Sequence, residues 1–89
     1  MELLKFTSRA INGVNFFMPP KFDFVFYEDR VEMYKKDKLI RTISYSDIID
    51  TAVQKTYRTD FVINCKPIGI VICKVSDEHL NKIKEIIKK

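Results

Sequence analysis

One amphipathic segment at the end of the chain constrains the fold more than any other. Ser76 is a suitable N-cap residue because its hydroxyl can accept a hydrogen bond from a free amide of the first helical turn. Four apolar residues then follow at the three- and four-residue spacing of one helical face: Leu80, Ile83, Ile86 and Ile87. A helix of this length is marginal in water by itself. We therefore predict a helix over residues 76–89 whose apolar face packs on the rest of the chain.

The chain before this helix has the alternating pattern of short β-strands. Between residues 22 and 34, apolar and polar residues alternate on both sides of a polar turn, which indicates a hairpin. The turn pairs Phe26 with Val31 and Phe24 with Met33. All four side chains then lie on one face of the hairpin.

The segment Pro67-Ile68-Gly69 predicts a second tight turn. Proline presets the first position of a type I turn, and glycine supplies the left-handed residue that follows it. A three-residue loop here pairs Cys65 with Val71 and Ile63 with Cys73. This register puts six apolar residues on one face of the hairpin: Phe61, Ile63, Cys65, Val71, Cys73 and Val75.

The remaining strands have weaker patterns. Leu39–Ile43 and Thr51–Tyr57 alternate as strands do, and residues 45–50 break the alternation as a corner or a single helical turn would. Residues 1–11 fit a strand or a short helix, of which we favour the strand, and residues 12–21 form a connection. The pattern therefore predicts about seven strands followed by one helix.

This order of elements resembles a small prokaryotic pleckstrin-homology-like (PH-like) domain, close in pattern to the GRAM branch of that superfold. The hairpin Phe24–Tyr34 and the corner Ile43–Ile48 carry the resemblance, together with two further strands and the terminal helix. It implies a mainly β fold: a partly open antiparallel barrel of about seven strands capped by one C-terminal helix. It also implies a single domain with three parts: strand or helix plus loop in 1–21, strands in 22–75 and the capping helix in 76–89.

Two features of the lipid-binding members of that superfold bear on function. Those members carry basic residues on both sides of the first strand-to-strand loop. The matching positions here are Arg9 and Lys21, but the loop between them is rich in phenylalanine and methionine. Those members also usually carry a tryptophan in the closing helix, and this chain has no tryptophan. Both departures weaken the case for phosphoinositide binding.

The densest group of basic residues is Lys35, Lys36, Lys38 and Arg41. Ammonium and guanidinium groups on a turn can bind lipid headgroups or nucleic-acid phosphates. Asp37 lies among them and reduces their field. The alternative is that the lysines keep a sheet edge soluble and unpaired, which is the interpretation we favour.

A loop with three large apolar residues precedes the first hairpin. Phe16, Phe17 and Met18 could contact a membrane interface or a partner's groove, with Arg9 and Lys21 nearby to bind anions. Large exposed apolar patches are uncommon on monomers. We therefore favour the alternative, in which one or two of these side chains pack under the sheet.

Cys65, Cys73 and His79 are the residues most often associated with metals or catalysis. In the predicted register the two cysteines are diagonal neighbours about 7–8 Å apart, which is too far for a disulfide. We expect both to be reduced and buried as small apolar residues. We expect His79, in the first helical turn, to be exposed and without a special role. These residues predict neither a metal site nor a disulfide.

The sequence points to a non-catalytic protein. It has no serine elbow, no glycine-rich phosphate loop and no group of convergent carboxylates. The leading hypothesis is an interaction module that recognises a protein partner or copies of itself at a sheet edge or in the groove beside the helix. The alternative is peripheral binding to anionic membrane lipid. We expect no cofactor and no small-molecule substrate, and a cytoplasmic location with the membrane surface as the alternative.

Nucleic-acid binding is the third and least favoured hypothesis. Aromatic side chains on a sheet can stack unpaired bases, and four tyrosines are interleaved with basic residues: Tyr27, Tyr34, Tyr45 and Tyr57. Nothing in the sequence places these four on one face. Cross-strand packing is the interpretation we favour for them.

Overall fold

The computed structural model describes residues 1–12 and 19–88. Within these residues the fold is mainly β, with seven antiparallel strands in one open sheet and a single helix near the C-terminus, as the sequence predicts. The elements are β1 (Leu4–Asn12), β2 (Lys21–Phe26), β3 (Arg30–Lys35), β4 (Lys38–Ser44), a 3₁₀ turn (Tyr45–Asp47), β5 (Ile48–Lys55), β6 (Thr59–Cys65), β7 (Ile70–Ile72) and α1 (Asp77–Ile86).

Strand β1 joins two halves of the sheet, whose strand order is β4-β3-β2-β1-β7-β6-β5. Its first part, Leu4–Arg9, pairs with β2, and its last part, Ala10–Asn12, pairs with β7. We call β1–β4 the first half-sheet and β5–β7, with the end of β1, the second half-sheet. Ala10, where β1 changes partner, is completely buried. Strands β4 and β5 form the two edges.

The first predicted hairpin is confirmed. Phe26 lies opposite Val31 and Phe24 opposite Met33, and all four side chains are completely buried. The strand alternative for the N-terminal segment also agrees with the structure, since β1 alternates between half-buried and exposed residues until Ala10. A strict alternation with large apolar side chains on one face was sufficient to predict this part of the core.

The predicted register of β6 and β7 is wrong. Phe61 lies opposite Ile72 and Ile63 opposite Ile70, so Ile70 and Ile72 enter the core. Val71 and Cys73 were predicted to face the core, but Val71 pairs with Val62 on the outer face of the second half-sheet. Cys73 is buried, yet it lies outside the main core cluster.

The cause lies in the two ends of β7. The connection from β6 occupies the four residues 66–69, one more than the predicted three-residue turn. After Ile72 the backbone of Lys74 takes a left-handed conformation, with φ of 53°. This turn of the backbone returns Val75 to the core. Strand β7 is therefore only three residues long. Its side chains face the opposite sides of the sheet from those predicted.

Helix α1 closes the core formed by the two half-sheets. The hydroxyl of Ser76 accepts a hydrogen bond of 3.2 Å from the backbone N–H of His79, as an N-cap residue does. Leu80, Ile83 and Ile87 are buried in the core cluster, and Ile86 packs against it half-buried. The helix ends at Ile86, three residues before the predicted end. No helix among the described residues is long and apolar enough to cross a membrane.

We predict that Gly69→Ala destabilises the fold by about 1–3 kcal/mol, because a Cβ at this position would lie 2.7 Å from the backbone oxygen of Ile63. Urea unfolding followed by circular dichroism measures the change in the free energy of unfolding. Ile68→Ala, at the half-exposed neighbouring position, is the control and should change it by less than about 0.5 kcal/mol. Equal stability of Gly69→Ala and the wild type would contradict the close approach of the two chain segments.

Candidate functional site

The six basic residues singled out in the sequence do not form one site. Arg41 lies opposite Met33, whose side chain is completely buried, so Arg41 is on the inner side of the edge strand β4. Its Nη1 donates to Asn12 Oδ1 at 2.8 Å, and its Nη2 donates to Cys65 Sγ at 3.4 Å. Arg41 therefore connects β4 to the ends of β1 and β6 across the open side of the sheet. The structure does not place it with the three lysines.

Those three lysines occupy the tip of the β3–β4 hairpin. Lys35 lies opposite Lys38, and Lys36 and Asp37 form the turn with left-handed backbone conformations. Residues 35–38 are all exposed. Among the described residues, ion pairs form at Arg30 and Arg58 and not at these lysines. Their charges are therefore available to an anionic partner.

Two exposed aliphatic residues follow the hairpin tip. Leu39 lies opposite Tyr34 and Arg41 opposite Met33, so Ile40 between them is the extra residue of a β-bulge. Leu39 is 48% exposed and Ile40 43% exposed. The bulge turns an isoleucine outward directly beside the lysines. Alternation alone predicts a regular strand here and gives no sign of the bulge.

The other two basic residues, Arg9 and Lys21, lie on a separate groove. They are cross-strand partners in β1 and β2, and the Nη1 of Arg9 donates to the carbonyl oxygen of Pro19 at 2.7 Å. Together with Lys74 they line a groove of about 420 Å³, whose other lining residues are Thr7, Ser8, Pro19 and Cys73. Sequence reasoning missed Lys74 because the predicted register placed it on an unremarkable outer strand position.

The backbone of Lys74 is held by the side chain of Asp60. The Lys74 N–H donates to Asp60 Oδ1 at 3.1 Å, and the same carboxylate forms an ion pair of 3.0 Å with Arg58. Asp60 is 9% exposed, and it is the one charged residue that is buried among the residues that the structure describes. Burial and the neighbouring Asp60 carboxylate raise the pKa of the Cys73 thiol, which favours its neutral form. The cysteine is therefore not set up as a nucleophile.

A second groove lies between the edge strand β5 and the end of α1. Its volume is about 500 Å³, and it is lined by Thr51, Ala52, Val53, Phe61, Lys84, Ile87 and Lys88. Phe61 and Ile87 are buried and Val53 is half-buried, so they form an apolar floor. Lys84 and Lys88 are exposed at its rim. This is the groove beside the helix that the sequence suggested only in outline.

The four tyrosines divide into three environments. Tyr27 and Tyr34 share the outer face of the first half-sheet and line a groove of about 240 Å³. Tyr45 packs against the core and donates its hydroxyl to the Tyr27 carbonyl at 2.6 Å, and burial raises its pKa to about 12. Tyr57 is 87% exposed. The four rings therefore do not make one stacking surface.

Tyr27 and Tyr34 also belong to a polar network with Arg30 and Glu32. The Tyr34 hydroxyl donates to Glu32 at 2.6 Å, and Arg30 forms an ion pair of 3.1 Å with the same carboxylate. The Tyr34 hydrogen bond, and then that of Arg30, lower the pKa of Glu32. The Arg30 guanidinium lies 4.1 Å from the centre of the Tyr27 ring. The network connects Arg30, Glu32 and Tyr34 on the outer face and places the Arg30 guanidinium over the ring of Tyr27.

The residues associated with metals or catalysis are dispersed. Cys65 and Cys73 are both free and buried, but only Cys65 belongs to the core cluster, so the predicted shared face is wrong. His79 is half-buried rather than exposed, because its ring stacks on the ring of Phe6, with 4.6 Å between the two ring centres. Among the described residues no three His, Cys, Asp or Glu side chains could hold a metal ion together. The predicted apolar contacts Phe16, Phe17 and Met18 lie outside the described residues.

A comparison of the chain with known protein families and with curated proteins finds no match in either.

Proposed function

We propose that this protein is a non-catalytic interaction module that binds an extended peptide segment of a partner protein along β5. The observation that carries the proposal is the position of β5, an eight-residue strand at the edge of the sheet beside the apolar groove of about 500 Å³. An edge strand can pair with an added strand through backbone hydrogen bonds. The groove beside it can accept side chains of that added strand.

The composition of the groove favours a peptide with a bulky aliphatic residue between carboxylates. Val53, Phe61 and Ile87 offer an apolar surface to the aliphatic side chain. Lys84 and Lys88 at the rim attract acidic side chains. A second copy of the chain has net charge +4 and would bring like charges together, so we favour a different protein as the partner.

The assignment to the PH-like superfold is part of this proposal. The strand order with β1 in both half-sheets supports it, and so does the single helix that closes the core at the end of the chain. Proteins of that superfold recognise proteins and lipids. Fold alone does not decide between these partners, so the argument for a peptide depends on β5 and its groove.

We predict that a synthetic extended peptide of alternating glutamate and valine, with one central isoleucine, binds to this groove. In an NMR titration the amide signals of β5 and of the end of α1 should shift. Reversal of both rim charges, Lys84→Glu with Lys88→Glu, should weaken binding roughly tenfold, since exposed charge pairs contribute about 0.2–1 kcal/mol each.

The matched control is Lys82→Glu, which changes an exposed lysine of the same helix that lines a different depression, beside Leu3 and Glu28. It should leave the peptide affinity within about twofold of the wild type. Shifts confined to the β3–β4 hairpin, or no binding at millimolar peptide, would contradict the proposal.

A second candidate function is peripheral binding to an anionic membrane, and the hairpin tip favours it. Three exposed lysines lie at this tip: Lys35, Lys36 and Lys38. Beside them are two exposed aliphatic side chains of the kind that enter a membrane interface, Leu39 and Ile40. Each lysine near an anionic bilayer contributes about 1 kcal/mol. Aliphatic side chains add to this by entering the interface.

We predict that the protein sediments with vesicles of phosphatidylcholine and phosphatidylserine at low salt if the tip has this function. Lys35→Gln with Lys38→Gln should then reduce the affinity by about thirtyfold, from roughly 2 kcal/mol of lost attraction. Ile40→Ser should also reduce it, whereas Ile49→Ser, at a 64% exposed bulge position of β5, should not. Absence of sedimentation at low salt would exclude the membrane candidate.

A further inference from the structure

We propose that the groove of Tyr27 and Tyr34, on the outer face of the first half-sheet, binds a linear aliphatic diamine. The groove has a volume of about 240 Å³. It follows the outer side of β2, because Asp23 and Val25 of this strand line it together with Tyr27, which comes directly after the strand. The inference does not depend on peptide binding at β5.

The first argument is the apolar middle of the groove. Val25 alternates with the core residues Phe24 and Phe26 and therefore points away from the core, yet it is only 5% exposed. The half-buried rings of Tyr27 and Tyr34 line the groove on either side of it. A chain of methylene groups that lies on this surface is removed from water, which favours binding.

The second argument is that each end of the groove has a carboxylate and a tyrosine ring. At one end Asp23 lies opposite Tyr34, and Asp37 follows in the hairpin turn. At the other end Glu2 lies beside Tyr27, since their neighbours in sequence are joined by a backbone hydrogen bond of 2.7 Å. Four residues of extended strand separate Asp23 from Tyr27, which corresponds to about 13 Å.

The third argument is that the carboxylates of the groove lack a cation of their own. Among the described residues, ion pairs form at Arg30 and Arg58, and none of them includes a carboxylate of the groove. Within the same part of the chain, no three acidic, histidine or cysteine side chains converge enough to hold a metal ion. Carboxylates that are too far apart for one metal ion can bind the two separated ends of a longer cation.

The tyrosine rings suit an ammonium group at each end. Tyr27 already binds one cation within the protein, because the Arg30 guanidinium lies 4.1 Å from the centre of its ring. Arg30 is not a lining residue of the groove, so this contact lies outside it. An alkylammonium group beside a tyrosine ring gains the same kind of attraction.

Lys5 determines which kind of amine fits. It lies opposite Val25, so its ammonium group belongs to the middle of the groove. Like charges brought close together are disfavoured, and a ligand with a positive charge at its centre would face Lys5. A diamine with charged ends and uncharged methylene groups between them reaches both ends of the groove and avoids this repulsion.

The test uses two matched double variants. Glu2→Gln with Asp37→Asn removes one negative charge from each end of the groove. The control, Glu28→Gln with Asp47→Asn, removes the same charges from residues outside the lining. All four positions are exposed, so both variants should resist urea as the wild type does.

Binding is measured by NMR titration with 1,8-diaminooctane and with 8-amino-1-octanol, in which a hydroxyl replaces one ammonium group. We expect the diamine to shift the amide signals of β2 and to bind at least about fivefold more tightly than the amino alcohol. The double variant in the groove should weaken diamine binding roughly tenfold, and the control double variant by less than about twofold.

A further variant tests the assignment to a diamine. Lys5→Gln should increase the affinity for spermidine at least about threefold more than the affinity for the diamine, because it removes the charge that faces the central ammonium group of spermidine. Equal increases would overturn the preference for a ligand charged only at its ends. Equal losses in the two double variants, equal affinity for the diamine and the amino alcohol, or no binding at millimolar diamine would overturn the site.

Discussion

The packing of α1 on the bent sheet is the interaction on which the rest of the structure depends. A single sheet of seven strands can bury one face only if something covers it. Strand β1 brings the two half-sheets face to face by changing its partner at Ala10, and α1 then inserts Leu80, Ile83 and Ile87 into the remaining opening. The helix residues belong to the same core cluster as Phe26 and Phe61, so loss of the helix would expose part of this cluster to water.

The same arrangement determines which surfaces are free. The helix covers the core beside Phe6, where the His79 ring stacks, and leaves its own end next to β5. Among residues 1–12 and 19–88, β4 and β5 are the outermost strands of the sheet, and a hydrogen bond from Arg41 to Cys65 connects β4 with β6. Each candidate site lies on one of the features that this geometry creates: an edge strand, a hairpin tip, the junction of the two half-sheets or the outer face of the first half-sheet.

Much of the fold could be predicted from the sequence because its strongest signals are local. The alternation around Phe24 and Phe26 fixes both the register and the buried face of the first hairpin. Ser76 and the spacing of Leu80 and Ile83 fix the helix, although its last turn was predicted too long. In each case the backbone is regular, so the spacing of residues in the sequence determines which side of the element their side chains face.

The candidate sites were harder to predict because they depend on irregular backbone. The connection over residues 66–69 changes the register of β7, and the left-handed Lys74 then ends its alternation, so the groove with Arg9 was not recognised. The bulge at Ile40 similarly changes the direction of the residues around it, and Arg41 turns inward although its neighbours in sequence suggested a solvent-exposed cluster. Such positions cannot be read from spacing, since one added or left-handed residue reverses the faces that follow.

Native-state amide hydrogen exchange tests the central claim most directly, which is that α1 is an integral part of the core. If it is, the slowest amides of α1, such as those near Ile83, exchange with the same free energy as the slowest amides of β2 and β6. That value equals the free energy of global unfolding from urea denaturation. Helix amides that exchange at a much lower free energy while β2 and β6 remain protected would contradict the account.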